Sequence, residues 1–299
     1  MIELYLIRKT QSSPVTLPDM ASLDAITRQL PEGYYSTFRT YAGCTRVIGL
    51  SAHLRRLPHV DASVLRRNLV HLLEPYRPDG EARVRVMETK RRKVYISIEP
   101  LQPLPREIYE KGVRVETTTI QRHDPRAKST AFISVSDKER KHIAQEGVFE
   151  ALLVKNGKIL EGMTSNFFYI LRAPENHRDY PGTVRLKPYD LLSKSGRCSE
   201  RSRAQREVLY TAQKDILLGV TRTMVIRAAR GGGVEVRYRA LELSQLPVVQ
   251  EAFITSSSRG IVPVIQIDNV MVGRGRVGPV TRQLMLAYEK DVLKNSEPI

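Results

Sequence analysis

The stretch that most constrains this chain runs from Arg126 to Ile170, RAKSTAFISVSDKERKHIAQEGVFEALLVKNGKILEGMTSNFFYI. SDKERKHIAQEG reads as a helix stopped by Gly147. The apolar runs on either side of Asn156-Gly157 read as two strands of a hairpin, because that dipeptide tolerates positive φ at both turn positions. Phe167-Phe168-Tyr169-Ile170 reads as a further strand. Between the last two strands lies Glu161-Gly162-Met163-Thr164-Ser165-Asn166, and a lysine, Lys128, opens the stretch in a turn-like segment.

The rest of the chain arranges itself around this unit. IELYLI at the start reads as a strand and residues 20–30 as a short helix. GYYSTFRTYAG is a strand ended by Gly43, with CTRVIGL as its hairpin partner. Residues 51–75 carry apolar residues at helical spacing, interrupted by Pro58. Residues 82–88 and 93–99 alternate as a strand pair, LQPLPRE connects, and GVRVETTTI is another strand. Beyond Ile170, residues 173–205 are polar, basic and aperiodic, which reads as a long surface insertion. EVLYT is a strand, TRTMVIRAARGGG a helix stopped by glycines, VEVRYRAL a strand and LSQLPVVQ helical. EAFITSS is a strand ending in Ser256-Ser257-Ser258-Arg259-Gly260. A hairpin, VIQIDNVMVGRG, and a helix from about Pro279 to Lys294 close the chain. The expected fold is α/β and α+β in two domains. Residues 1–120 form a small N-terminal α+β domain, 121–128 a linker, and 129–299 a larger domain carrying the insertion.

Charge and composition bound the function. At 299 residues the chain can bury one large or two moderate cores. No apolar run approaches the ~20 residues that span a bilayer. The start MIELYLIRKTQ has no secretory h-region, so a cytoplasmic location is expected. Cys44 and Cys198 make neither a disulfide framework nor a metal set. The net charge of +16 suits anionic partners. Because the basic residues are scattered and no nucleic-acid motif is present, anionic small molecules are the expected partners. A nucleic-acid-binding protein on the same scaffold is the alternative from another class.

Several segments together resemble the class IV aminotransferases, the fold-type IV pyridoxal-phosphate enzymes. EGMTSNFF resembles the family's EG-x-[ST]-SN-x-F signature. LLGVTR resembles its L-x-G-[IV]-TR segment, HLRRL its H-x-x-RL, and GPVTR its closing helix start. Lys128-Ser129, Gly147 and Glu150-Ala151 follow the family's order around its lysine. The likeness covers roughly residues 33–289, broken at 173–205.

That resemblance implies a two-domain fold with pyridoxal 5′-phosphate held between the domains. It implies transfer of an amino group between an amino acid and a 2-oxo acid, of the branched-chain-aminotransferase type, in a homodimer. Lys128 would bind the cofactor covalently and carry the proton. Glu161 would face the pyridine nitrogen and keep it protonated. Arg56, Val220, Thr221 and Ser257 would hold the phosphate, an arginine fork and a helix N-terminus both being suited to that anion. Ser165 and Asn166 would fix the loop through side-chain hydrogen bonds. Ser258 would receive the substrate, and Arg259 and Arg85 would add cations favouring an acidic one. For Arg85 the alternating strand ARVRVME leaves open which way the side chain faces. There are departures: Ile133 stands five residues after the lysine where branched-chain enzymes have tyrosine, and Arg259 stands where relatives have a small residue. A 4-amino-4-deoxychorismate lyase on the same scaffold is the nearer alternative.

Overall fold

The computed structural model describes residues 1–8, 11–172 and 207–299. The segment read as a basic insertion, 173–205, lies outside the described residues. Within them the strands are β1 (Glu3–Arg8), β2 (Gln11–Pro14), β3 (Gly33–Tyr41), β4 (Arg46–Val47), β5 (Ala82–Thr89) and β6 (Val94–Pro100). They continue as β7 (Val113–Thr118), β8 (Glu150–Lys155), β9 (Lys158–Gly162), β10 (Asn166–Arg172), β11 (Glu207–Thr211) and β12 (Glu235–Tyr238). The last five are β13 (Leu241–Glu242), β14 (Glu251–Ser256), β15 (Gly260–Ile267), β16 (Val270–Met271) and β17 (Glu297–Pro298). The helices are α1 (Leu23–Gln29), α2 (Leu50–Leu54), α3 (Ala62–Leu73), α4 (Arg106–Lys111), α5 (Ala131–Val135), α6 (Asp137–Gln145), α7 (Val220–Gly231) and α8 (Pro279–Asn295).

Strands β1 to β6 form one sheet, in the order β17-β4-β3-β5-β6-β1-β2. Its long pairs are antiparallel, and their alternating apolar residues pack beneath α3. Asp61 caps α3 through its carboxylate at Ser63 and Val64 N–H, 2.8 and 2.9 Å. Pro58 falls between α2 and α3, ending the first helical segment as the sequence implied. β17 was not visible in the sequence. It returns the C-terminus to pair with β4, with Glu297 opposite Val47.

The second sheet runs β12-β11-β10-β14-β15-β7-β8-β9-β13, and β9 also pairs with β10. The path β10-β14-β15-β7-β8-β9 therefore returns to its start, closing through the pair Asn166–Glu161. The interior of this ring is apolar, with Phe167, Ile254 and Val262 nearly inaccessible. Helices α7 and α8 cover its outer face around Phe168, Phe253 and Leu284. β7, expected with the first half of the chain, pairs in parallel with β8 and β15 of this sheet. Alternation identifies a strand but not its partners, so only the fold could assign it. The Asn156-Gly157 turn has φ of 51° and 71° and joins β8 to β9 as the sequence implied. VEVRYRAL yields only the short β12 and β13, and LSQLPVVQ forms a 3₁₀ helix, in which Pro247 lies. No described helix is long and apolar enough to cross a membrane.

Candidate active site

Lys128 is positioned by the first sheet although it follows the second sheet's β7. Tyr35 N–H donates to its carbonyl at 3.0 Å, and Thr130 N–H donates to the carbonyl of Gly33 at 3.0 Å. The Thr130 hydroxyl accepts from Gly33 N–H at 3.0 Å, and Tyr34 and Ser129 form an isolated bridge. The lysine segment is thus a short extra strand on β3. Gly33 allows it: a Cβ there would lie 2.0 Å from the Glu88 carbonyl oxygen. The Lys128 amine sits 5.0 Å from the Tyr35 ring centroid. Burial, and then the cations Arg56, Arg122 and Arg85, push its pKa well below the usual lysine value, while Glu161 pulls it back up. Such an amine is neutral, and so nucleophilic, far more often than a surface lysine.

Glu161 stands at the end of β9, on the seam of the ring, and is 2% exposed. Arg122 Nε donates to Oε1 at 3.0 Å. Asn166 Nδ2 and Leu217 N–H donate to Oε2 at 3.2 and 3.1 Å. These donors favour the anion, yet burial outweighs them and the carboxyl is raised to about 7. Arg122 is itself fixed, lying 4.0 Å from the Phe132 ring centroid and donating to the Met163 carbonyl. Asn166 also donates to the Leu217 carbonyl at 2.7 Å, tying the loop before α7 to the Glu161 loop. The expectation for this loop holds for Asn166 but not for the Ser165 side chain. The Ser165 hydroxyl is buried without a partner, and it is its backbone carbonyl that accepts, from Gly162 N–H at 2.9 Å.

Helix α7 begins at Gly219 with no side-chain cap, so its first N–H groups remain free to bind an anion. Helix α8 differs. Its Val280 and Thr281 N–H groups donate to the Glu251 carboxylate at 3.1 and 2.7 Å. One helix N-terminus is closed by the protein's own anion, while the other opens into a cavity. Arg56, in the turn after α2, reaches across from the first sheet's side and donates to the Leu218 carbonyl at 2.7 Å. Gly49, the N-terminal flank of α2, lies close enough that a Cβ would be 2.9 Å from Val220. Glycine's freedom at φ 61° permits that approach.

A cavity of about 290 Å³ brings these groups together. It is lined by Lys128, Glu161, Arg56, Arg85, Val220, Thr221, Ser257, Ser258 and Arg259, every residue the sequence singled out as a site candidate. Its electrostatics differ from the sequence-based expectation. Arg85 points inward and is buried, but it is committed: it pairs with Asp24 at 2.7 Å, donates to the Leu23 carbonyl and Thr27 hydroxyl, and covers the Tyr35 ring. Arg259 is paired with buried Glu150 at 2.8 Å. Arg140 shares Asp24 at 3.3 Å, and Arg83 takes Glu99 at 2.7 Å. Among the described residues, Arg56 and Lys128 are the lining cations without a carboxylate within ion-pair distance. The excess positive charge is therefore concentrated near the open end of α7 and the lysine.

Sequence reasoning missed Arg122, which it left in a linker, and Asp24, Arg83 and Arg140. Each is an arginine or aspartate, and nothing in local spacing distinguishes a buried ion pair from a solvated one. The residues present suit pyridoxal phosphate. Glu161 lines the cavity with its carboxyl raised to about 7 by burial despite Arg122, so a further cationic group at the cavity is stabilised there, and the Thr255 hydroxyl lines the cavity buried and without a partner.

Residues 33–267 match the amino-transferase class IV family, and the chain belongs to it. The branched-chain-amino-acid aminotransferase of Escherichia coli (strain K12) is 28% identical over 193 residues, 61% of this chain and 50% of that protein. The aminodeoxychorismate lyase of Bacillus subtilis (strain 168) is 26% identical over 290 residues, 87% of this chain and 85% of that one. The chain spans about half the length of the curated aminotransferases it matches. The solved structure of a hypothetical aminotransferase from Mycobacterium tuberculosis in its pyridoxal-phosphate-bound form has a TM-score of 0.70 at 17% identity, covering 98% of this chain and 99% of that one. The fold is that of the fold-type IV aminotransferases.

Proposed function

We propose that the protein is a pyridoxal-phosphate-dependent aminotransferase, transferring an amino group between an amino acid and a 2-oxo acid in the manner of branched-chain aminotransferases. The observation that carries this reading is the shared cavity. Lys128 and Glu161 line it together with Arg56 and the uncapped start of α7. When bound, pyridoxal phosphate supplies an aldehyde that takes up an amine and a protonated ring that accepts electron density. Lys128 is the attachment point, its amine kept neutral by burial and by neighbouring cations. Once displaced by a substrate amine, it is the base that moves a proton at the substrate's Cα. Glu161 holds a proton on the ring nitrogen, and Arg122, Asn166 and Leu217 N–H orient it for that task. Arg56, the N–H groups of Val220 and Thr221, and Ser257 hold the phosphate. The backbone after Ser257, at Ser258, receives the substrate carboxylate. A homodimer in the cytoplasm completes the proposal.

The test is borohydride reduction of the purified protein followed by peptide mapping. The pyridoxyl group should be found on Lys128, and Lys128→Ala should abolish both labelling and amino transfer. A label on Lys138 or Lys141 refutes the assignment. A second reading is favoured by a specific likeness, that to the lyase over 87% of this chain. It is elimination of pyruvate from an aminodeoxychorismate, which uses the same lysine. Pyruvate release from that substrate without amino-acid-dependent formation of a 2-oxo acid would favour the lyase.

A further inference from the structure

Arg259 is held from several sides. Its Nε donates to the Ser256 hydroxyl at 3.1 Å, and its Nη2 to Glu150 Oε2 at 2.8 Å and the Thr164 hydroxyl at 2.6 Å. The guanidinium stands 5.1 Å from the Phe149 ring centroid. Its carbonyl accepts from the Tyr109 hydroxyl at 2.9 Å, which ties the β14–β15 turn to α4. Its charge is matched by Glu150 and three of its five N–H donors are engaged, so it is not a free cation in the site. It acts instead as a fixed bar between β8, the β9–β10 loop and the β14–β15 turn.

What the bar separates is visible on its other side. A second cavity, of about 700 Å³, shares Arg83, Ser258 and Arg259 with the first. Its remaining wall is apolar along Ile2, Pro100, Leu101, Pro103 and Leu104, with Arg39, Glu99 and Glu289 also lining it. The partition is made of side-chain ends: Arg259 reaching to Glu150, and Arg83 reaching to Glu99 at 2.7 Å. Of the three shared residues Arg83 lies in β5, and Ser258 and Arg259 lie in the turn between β14 and β15.

We propose that Arg259 is the specificity-determining wall that limits substrate side-chain length, closing the active-site cavity off from an apolar extension. Without the wall, that extension takes long unbranched or aromatic side chains. This rests on the aminotransferase reading of the site. The wild type converts 2-amino acids with short side chains and discriminates against long ones. Shortening Arg259 joins the two spaces, and the site then accepts the apolar tail.

The experiment compares the wild-type cofactor-loaded protein with two variants. One is Arg259→Lys, which keeps a cation near Glu150. The other is Arg259→Ala combined with Glu150→Gln, so that no buried carboxylate is left unpaired. Straight-chain 2-amino acids from alanine to 2-aminodecanoate are the substrates, and the change in cofactor absorbance is the signal. In the wild type, kcat/KM should fall about tenfold or more for each methylene past the wall. In the double variant the fall should begin several carbons later, raising the long-to-short ratio at least a hundredfold. Calorimetry with straight-chain carboxylates from butanoate to decanoate reads the wall without turnover: affinity should stop rising with length in the wild type and continue rising in the double variant. Identical length profiles in all three proteins overturn the proposal. If the wild type converts no amino acid at all, the aminotransferase reading fails, and the carboxylate series still decides whether Arg259 is a wall.

Discussion

Replacing Arg122 by glutamine should produce a stability defect that grows with pH. Arg122 Nε lies 3.0 Å from Glu161 Oε1, and both side chains are buried. Removing a cation whose charge centre lies ~4 Å from that of the carboxylate withdraws ~4 kcal/mol at an effective dielectric of about 20. That corresponds to about three pKa units, pushing the carboxyl well above its wild-type value of about 7. Because the carboxyl can protonate, the usual ~3–5 kcal/mol cost of an orphaned buried charge does not apply at neutral pH. At pH 7 the wild-type carboxyl is about half ionised, and holding it neutral costs only ~0.4 kcal/mol. A further ~1 kcal/mol goes with the lost stacking of Arg122 on Phe132. The sign above neutrality follows from linkage. A carboxyl raised on folding holds a proton that the unfolded chain has released, so stability falls as pH rises toward the folded pKa. In the wild type that window closes near pH 7. In Arg122→Gln it extends well above neutrality, at ~1.4 kcal/mol per pH unit. The other charged groups facing Glu161 are Lys128, Arg56 and Arg222, and the two arginines stay charged throughout. Urea denaturation of cofactor-free protein at pH 6, 7, 8 and 9 measures the difference. Repeating it in a Lys128→Met background removes the remaining titrating neighbour from both chains. A deficit of several kcal/mol that is the same at every pH would refute the reasoning, because it would mean that Glu161 is already fully ionised at pH 6.

Glu161→Gln should fold and bind pyridoxal phosphate, yet lose about a hundredfold or more in turnover, because an amide cannot hold the ring nitrogen protonated; near-wild-type turnover would leave Glu161 as a structural group only. Gly33→Ala should cost ~1–3 kcal/mol, since its Cβ would lie 2.0 Å from the Glu88 carbonyl oxygen. It should also slow cofactor attachment by displacing Lys128, measured as the rate of appearance of the visible absorption band on reconstitution. Glu251→Ala should lose ~1–2 kcal/mol of stability with the α8 cap, while cofactor affinity, measured by fluorescence titration, stays unchanged.

The local elements were largely legible in the sequence. The Asn156-Gly157 hairpin, the split of residues 51–75 at Pro58 and the helix ended by glycines after Arg230 follow from turn chemistry and periodicity, which act over a few residues. The site candidates were legible by likeness to a family, and the cavity gathers them. β17 was not legible, since two residues carry no periodicity and their pairing with β4 depends on where the C-terminus ends in space. The assignment of β7 to the second sheet was equally hidden, because its alternation fits either sheet.

For this protein the sequence determined most of the segments that are strands and helices and which lysine, glutamate and arginine are the site candidates. The tertiary structure alone decided their charge states and their commitments. Arg85 and Arg259 read as available cations in the linear chain, and Asp24 and Glu150, distant in sequence, neutralise them in the fold. Arg122 read as linker and became the partner of Glu161. The physical reason is that patterning reports burial over one or two turns of chain. Coulomb interaction and desolvation depend on distances between residues that come together only when the two sheets pack.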